Sequence, residues 1–226
     1  MQEVVPISAT RRTAPDSRLL DALSAADSST RLQATLAVDT NPDPDLLEAL
    51  MERCAVEPDF FVRDMLTWAL TRLPTEITVP RLRTELHSKR AAARSQALHT
   101  LSKIGDGSAW PSITRSLLHD ANDEVARSAW RAAVILVPAG EKKGLAADLA
   151  AQLGRGDRNM HLSLSRALVA LGDVIEPALQ TARASADPTV CAHARATELL
   201  RHDPGADFDS ALDEANRIIA LGSMGC

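Results

Sequence analysis

Residues 104–138 read IGDGSAWPSITRSLLHDANDEVARSAWRAAVILVP, and this stretch decides the fold. Gly105 supplies a left-handed stop, the segment up to Leu117-Leu118-His119 is apolar, and Asp120-Ala121-Asn122-Asp123 is a turn built of capping residues. A second apolar segment follows around Ala129 and ends at Pro138. The same unit recurs along the chain. Aligned on the central small or leucine residue of the second segment, the copies place Ala34, Leu66, Ala97, Ala129, Leu164 and Ala194 in register, separated by 32, 31, 32, 35 and 30 residues. A period of this size marks stacked supersecondary units, none of which buries its own apolar face alone.

Working outward, helical periodicity assigns six helix pairs. The first starts near Asp16 or Ser17 with Leu19, Leu20 and Leu23 on one side, and its partner runs over about 29–38. The following pairs are 44–54 with 60–73, 79–87 with 91–104, 108–119 with 124–137, 143–153 with 159–171, and 175–184 with 189–201. Residues 1–16 lack this periodicity and read as an N-terminal arm, 17–201 as the repeat array, and 202–226 as a turn and an amphipathic helix capping the C-terminal end.

Within this frame Ile104-Gly105-Asp106, Ala109-Trp110-Pro111, Leu117-Leu118-His119-Asp120 and Asp123-Glu124-Val125 resemble the HEAT-repeat consensus in its short, phycobilisome-lyase-type form. Val62-Arg63 before Leu66, Ala93-Arg94 before Ala97 and Asp187-Pro188-Thr189-Val190 before Ala194 repeat it. The resemblance implies an all-α, right-handed α-solenoid (an α-α superhelix) of about six HEAT-like helix pairs, with the second helices lining the concave face. Tetratricopeptide and ankyrin patterns fit less well, since tyrosine and a Thr-Pro-Leu-His segment are absent. The repeat arginine at Arg31, Arg63 and Arg94 is displaced to Arg127 in the fourth copy, and His161 and Cys191 take its place in the last two.

Composition narrows the function classes. A net charge of −5 disfavours a general nucleic-acid coat, and an aromatic content of 3% suits helices packed through Leu and Ala. Cys54, Cys191 and Cys226 form no Cys-x-x-Cys pair, so neither a disulfide framework nor a zinc knuckle is indicated. No signal-peptide core or membrane span is evident, and the expectation is a cytoplasmic protein, monomeric or weakly dimeric.

Equivalent residues of adjacent repeats stack about 10 Å apart, so a stripe can be read across copies. The sites two before, two after and six after the pivot lie opposite the core. They hold Asp64, Trp68 and Arg72, then Ser95, His99 and Lys103, then Arg127 and Arg131, then Arg166. Five cations oppose one carboxylate here, although the chain as a whole is acidic. Trp68, Arg72, His99, Lys103, Arg127, Arg131 and Arg166 are therefore the candidate partner-binding residues, Trp68 as anchor and His99 as a source of weak pH sensitivity. At the ends the stripe turns apolar, with Leu32 and Leu36, and with Ala192, Ala196 and Leu200, which the arm and the C-terminal helix are expected to cover. Trp130 and Trp110 read as packing residues.

No catalytic, metal or cofactor constellation is expected. His87 and His119 are repeat-equivalent and too far apart for one ion, Cys191 and His193 point to different sides of a helix, and no His-Glu pair of the di-iron hydroxylases built on HEAT-like repeats occurs. No Gly-x-Ser-x-Gly elbow, P-loop or dinucleotide glycine pattern is present. The expected function is that of a non-enzymatic scaffold or adaptor holding an acidic peptide or protein in a basic groove. Two alternatives stand beside it. A nucleic-acid-binding or DNA-glycosylase-like protein would use Asp64 and Trp68, though in the reverse of that family's order; a chromophore lyase-like protein is suggested only by the branch of the resemblance.

Overall fold

The computed structural model describes residues 17–203, 205 and 207–223, all α-helix, 3₁₀ turn and loop, with no strand among them. The expected N-terminal arm, the Asp16 cap and Cys226 lie outside the described residues. The chain falls into two compact units, one ending at Pro74 and the other starting at Thr75.

The first unit contains α1 (Ser17–Leu23), α2 (Ser28–Thr40), α3 (Leu47–Cys54) and α4 (Phe60–Arg72), with a 3₁₀ turn over Pro44–Leu46 leading into α3. Helix α2 packs on α4, and both begin on an aspartate cap: Asp27 accepts from the Thr30 amide, and Asp59 accepts from those of Phe61 and Val62. Of the residues expected to lie under the arm, Leu32 is half-buried and Leu36 exposed.

The second unit continues with α5 (Thr75–Glu85), α6 (Ala91–Ile104), α7 (Arg115–Leu118), α8 (Asp123–Leu136), α9 (Lys142–Ala150), α10 (Arg158–Ala170), α11 (Glu176–Arg183), α12 (Pro188–His202) and α13 (Phe208–Ser223). Each second helix stacks on the next in the order α6, α8, α10, α12, and α5, α7, α9 and α11 line the other layer. Gly105, at φ 71°, ends α6 in the left-handed conformation that a side chain would strain.

Boundaries agree with the sequence reading to within about two residues for the second helices; among the first helices, 44–46 is a 3₁₀ turn, α9 ends three residues early at Ala150, and two others depart further. Helix α5 starts four residues early and runs through Pro80, because Thr78, Val79 and Leu82 are buried and the packing draws the preceding turn into the helix. Proline remains tolerable there because its face is exposed. The expected helix over 108–119 is broken instead into a 3₁₀ segment, Gly107–Ser112, and the single turn α7, with Pro111 inside the first piece. Trp130 is 1% exposed and donates from Nε1 to the Leu118 carbonyl at 2.9 Å, tying α8 to that broken layer. Trp110 is half-buried and donates to Glu141.

The repeat arginine is a latch between the two helices of a pair. Arg31 donates to the Ala25 and Ala26 carbonyls, Arg63 to those of Glu57 and Pro58, and Arg94 to that of Ser88. Arg31 and Arg94 also reach a carboxylate 26 residues onward, Glu57 at 2.7 Å and Asp120 at 2.9 Å. Burial by itself would raise the Glu57 carboxyl, but the Arg31 hydrogen bond, the Asp59 amide and the Arg53 charge hold it below the ordinary range. In the fourth repeat the latch is not transferred to Arg127, as the sequence suggested. Ala126 fills the position, fully buried, and Arg155 of the following repeat reaches back to the Asp120 carbonyl at 2.6 Å and to Asp123 at 2.7 Å.

Helix α13 closes the second unit. Phe208, Ala211, Leu212 and Ala215 form its apolar face and pack on Ala192, Ala196 and Leu200 of α12, with Leu162 and Val169 of α10 at the edge. The helix therefore lies across the stripe face of the last two second helices.

Candidate functional site

The part of that face left uncovered among the described residues is a groove of about 410 Å³ on α6, α8 and α10. Its charged rim consists of Lys103, Arg127, Arg131 and Arg166 with His99; Val134, Ile135 and Ala167 supply apolar wall. Five of the seven residues singled out from the sequence are thus brought together. The other two, Trp68 and Arg72, stand exposed on α4 of the first unit, Trp68 at 45%, and are not among the lining residues.

The convergence follows from the stacking. His99, Arg131 and Arg166 all sit two residues after their pivots, so parallel second helices bring the three onto one face. Ser95 and Ser128 hydrogen-bond at 2.9 Å across the α6–α8 seam and fix the register beneath. Ser102 donates to the His99 carbonyl at 2.6 Å.

Charge in the groove is incompletely balanced. Arg127 pairs with Glu124 at 2.9 Å, and no carboxylate is among the described lining residues. Arg131 has only long contacts, at 3.4 Å, to the Arg127 carbonyl and the Ser128 hydroxyl. Desolvation against the helix walls, followed by the neighbouring Arg127 charge, lowers its guanidinium below the ordinary range. An anion beside Arg131 would offset both effects by its opposite charge.

Sequence reasoning missed the apolar wall. Ile135 occupies the site six after the pivot, where α6 carries Lys103, and it is 53% exposed. An isoleucine at the site where the two preceding repeats carry Arg72 and Lys103 was the available signal. Val134, Ser163 and Ala167 enter through the width of the groove, which a one-residue-wide stripe cannot represent.

A second polar cluster lies buried in the α10–α12 seam. The Gly154 amide donates to Nδ1 of His193 at 3.0 Å, so the ring hydrogen is on Nε2, which faces the His161 carbonyl at 3.0 Å and Ser165 Oγ at 3.1 Å. Ser165 Oγ also meets Thr197 Oγ1 at 2.7 Å. Burial, then the adjacent His161, pushes His193 down to about 3, and burial lowers His161 as well. A serine beside a histidine invites a nucleophilic reading, but Ser165 is fully buried and the far nitrogen of His193 faces an amide rather than a carboxylate. The cluster satisfies the His193 ring and the Ser165 and Thr197 hydroxyls inside the stack, while the His161 ring, 4.2 Å from that of His193, has no hydrogen-bond partner among the described residues.

No family model matches the chain, and no curated protein matches it. Among solved structures, an engineered protein is similar at 20% identity over 86% of this chain and 96% of that one, with a TM-score of 0.46. Human deoxyhypusine hydroxylase, solved in complex with glycerol, is similar at 14% identity over 89% of this chain and 93% of that one, TM-score 0.45. The complex of CpcE and CpcF of phycocyanin lyase from Nostoc is similar at 17% identity over 96% of this chain and 99% of that chain, TM-score 0.39.

Proposed function

We propose that the protein is a non-enzymatic scaffold that holds an acidic peptide or protein surface in the groove of α6, α8 and α10. The observation that carries this reading is the joint presence of Lys103, Arg127, Arg131 and Arg166 around one concavity in a chain of net charge −5. A local positive field of this kind attracts an anionic partner and sets its orientation. Val134, Ile135 and Ala167 favour a peptide bearing apolar as well as acidic side chains over a bare polyphosphate strand. Exposed Trp68, with Arg72 one turn later, offers a separate aromatic anchor on the first unit.

Affinity capture from native extract tests the proposal. The wild-type chain should retain a defined partner, and Trp68→Ala combined with Arg131→Glu should lose it at unchanged helicity and melting temperature. Capture that survives both substitutions would remove the groove from the function. A gel shift with duplex DNA of mixed sequence discriminates the nucleic-acid alternative: Arg131-dependent retardation at physiological salt would favour that class instead.

A further inference from the structure

We infer that the groove is a receptor for an acidic amphipathic helix, and that α13 is an intramolecular copy of that ligand seated on the adjoining part of the same surface. The inference rests on the scaffold reading above and names the chemistry and form of the partner.

Three observations lead to it. First, α13 has the composition required: Phe208, Ala211, Leu212 and Ala215 face α12, while Asp209, Asp213 and Glu214 form an acidic side. Second, it is bound as such a ligand would be. Its apolar face lies on Ala192, Ala196 and Leu200, which are two before, two after and six after the α12 pivot, and its carboxylates Asp209 and Asp213 engage Arg158 of α10. Arg127, Arg131 and Ile135 occupy those same three sites on α8.

Third, the two surfaces are continuous. Arg166 lines the groove and also lines a second cavity, about 410 Å³, that is shared with Asp207, Phe208 and Asp209 at the start of α13. One side of Arg166 thus faces the acidic end of α13, and the other faces the groove. A helix lying over α6 and α8 would place apolar side chains on Val134, Ile135 and Ala167 and carboxylates near Lys103, Arg127 and Arg131. This is the helix-in-groove mode, in which an i, i+3, i+4, i+7 stripe supplies contact and flanking charge sets orientation.

The test uses the full chain and a synthetic peptide of residues 207–223, with a scrambled peptide of identical composition whose apolar residues fall off the helical stripe. The native-sequence peptide should bind saturably, gain far-ultraviolet helical signal on mixing, and weaken about tenfold with Arg131→Glu, a loss of one rim contact. Melting curves of the variant confirm its fold. Equal binding of the scrambled peptide would overturn the helical ligand while leaving an acidic-peptide groove intact. Binding untouched by Arg131→Glu but lost with Arg158→Glu would mean that the peptide merely replaces α13, and this too would overturn the inference. Absence of binding by either peptide overturns it as well, whereas the scaffold reading is judged separately by partner capture with the Trp68 and Arg131 variant. Arg131-dependent binding of duplex DNA in place of the peptide would overturn both.

Discussion

The stripe face of α12 and that of α8 are repeat-equivalent, yet among the described residues one is covered by α13 and the other is open. Two residues after the pivot, α12 carries Ala196, with no exposure, where α8 carries Arg131; six after, Leu200 is 8% exposed where Ile135 is 53% exposed. The backbone offers the same platform in both places. What differs is whether small apolar side chains let a helix settle, or cations keep the platform wet until a complementary charge arrives. Seam residues such as Ser95 with Ser128, or Ser165 with Thr197, hold the layers together, while the residues beside them on the stripe differ between α8 and α12.

Acid should break the covered side first. His193 lies in the α10–α12 seam with Phe208 of α13 edge-on to it, ring centres 6.1 Å apart. Its folded pKa of about 3 is depressed from 6.5, so between these values the unfolded chain binds a proton that the folded chain excludes. The stabilisation is fully present above pH 6.5 and is lost progressively as pH falls toward about 3. At 1.36 kcal/mol per pKa unit the whole window is worth on the order of 5 kcal/mol, and His161 adds in the same direction. Urea unfolding from pH 7 to 4 should show this fall, and His193→Gln should flatten it; parallel pH profiles for the two proteins would contradict the buried neutral ring.

Exchanging residues between the two platforms gives the next effect. Ala196→Arg puts the α8 cation beneath the apolar face of α13, among Leu200, Phe208, Ala211 and Leu212, and should cost about 3 kcal/mol and detach the helix. Hydrogen exchange over 208–223 would then approach that of an unfolded segment. Protection kept at wild-type level would show that the cover tolerates the groove's own chemistry.

A matched pair at the site six after the pivot sharpens the contrast further. Leu200→Ser should destabilise by about 2–4 kcal/mol through lost burial, whereas Ile135→Ser should change stability by less than about 0.5 kcal/mol. If calorimetry found the two costs alike, α8 would have to be covered as α12 is.

Much of this division was legible in the sequence. The period placed the pivots, and the pivots placed Lys103, Arg127, Arg131 and Arg166 on one face, because a helical repeat converts spacing directly into direction. The apolar runs at Ala192, Ala196 and Leu200 also pointed to cover by the C-terminal helix. Three things were not legible. The broken layer around Pro111 and the early start of α5 depend on packing that overrides local propensity. The Arg155 latch to the Asp120 carbonyl spans 35 residues through a backbone acceptor, which no side-chain pattern announces. The His193 cluster hides because its partners are an amide, a carbonyl and two hydroxyls drawn from three segments.

The smallest expected effect carries the clearest sign of purpose. Arg131 is exposed at the groove surface, its charge is disfavoured by partial desolvation against the helix walls and by Arg127, and its two hydrogen-bond contacts are long. Methionine would fill similar volume without the unfavourable charge. Solvent screens much of the penalty at an exposed side chain, so Arg131→Met should range from no change to a gain of about 0.5 kcal/mol in the free protein. The same substitution should weaken binding of the peptide of residues 207–223. Opposite signs in the two measurements, thermal unfolding and peptide titration, are expected if the cation serves a partner; a loss of stability would mean that Arg131 belongs to the scaffold, as the latch arginines do.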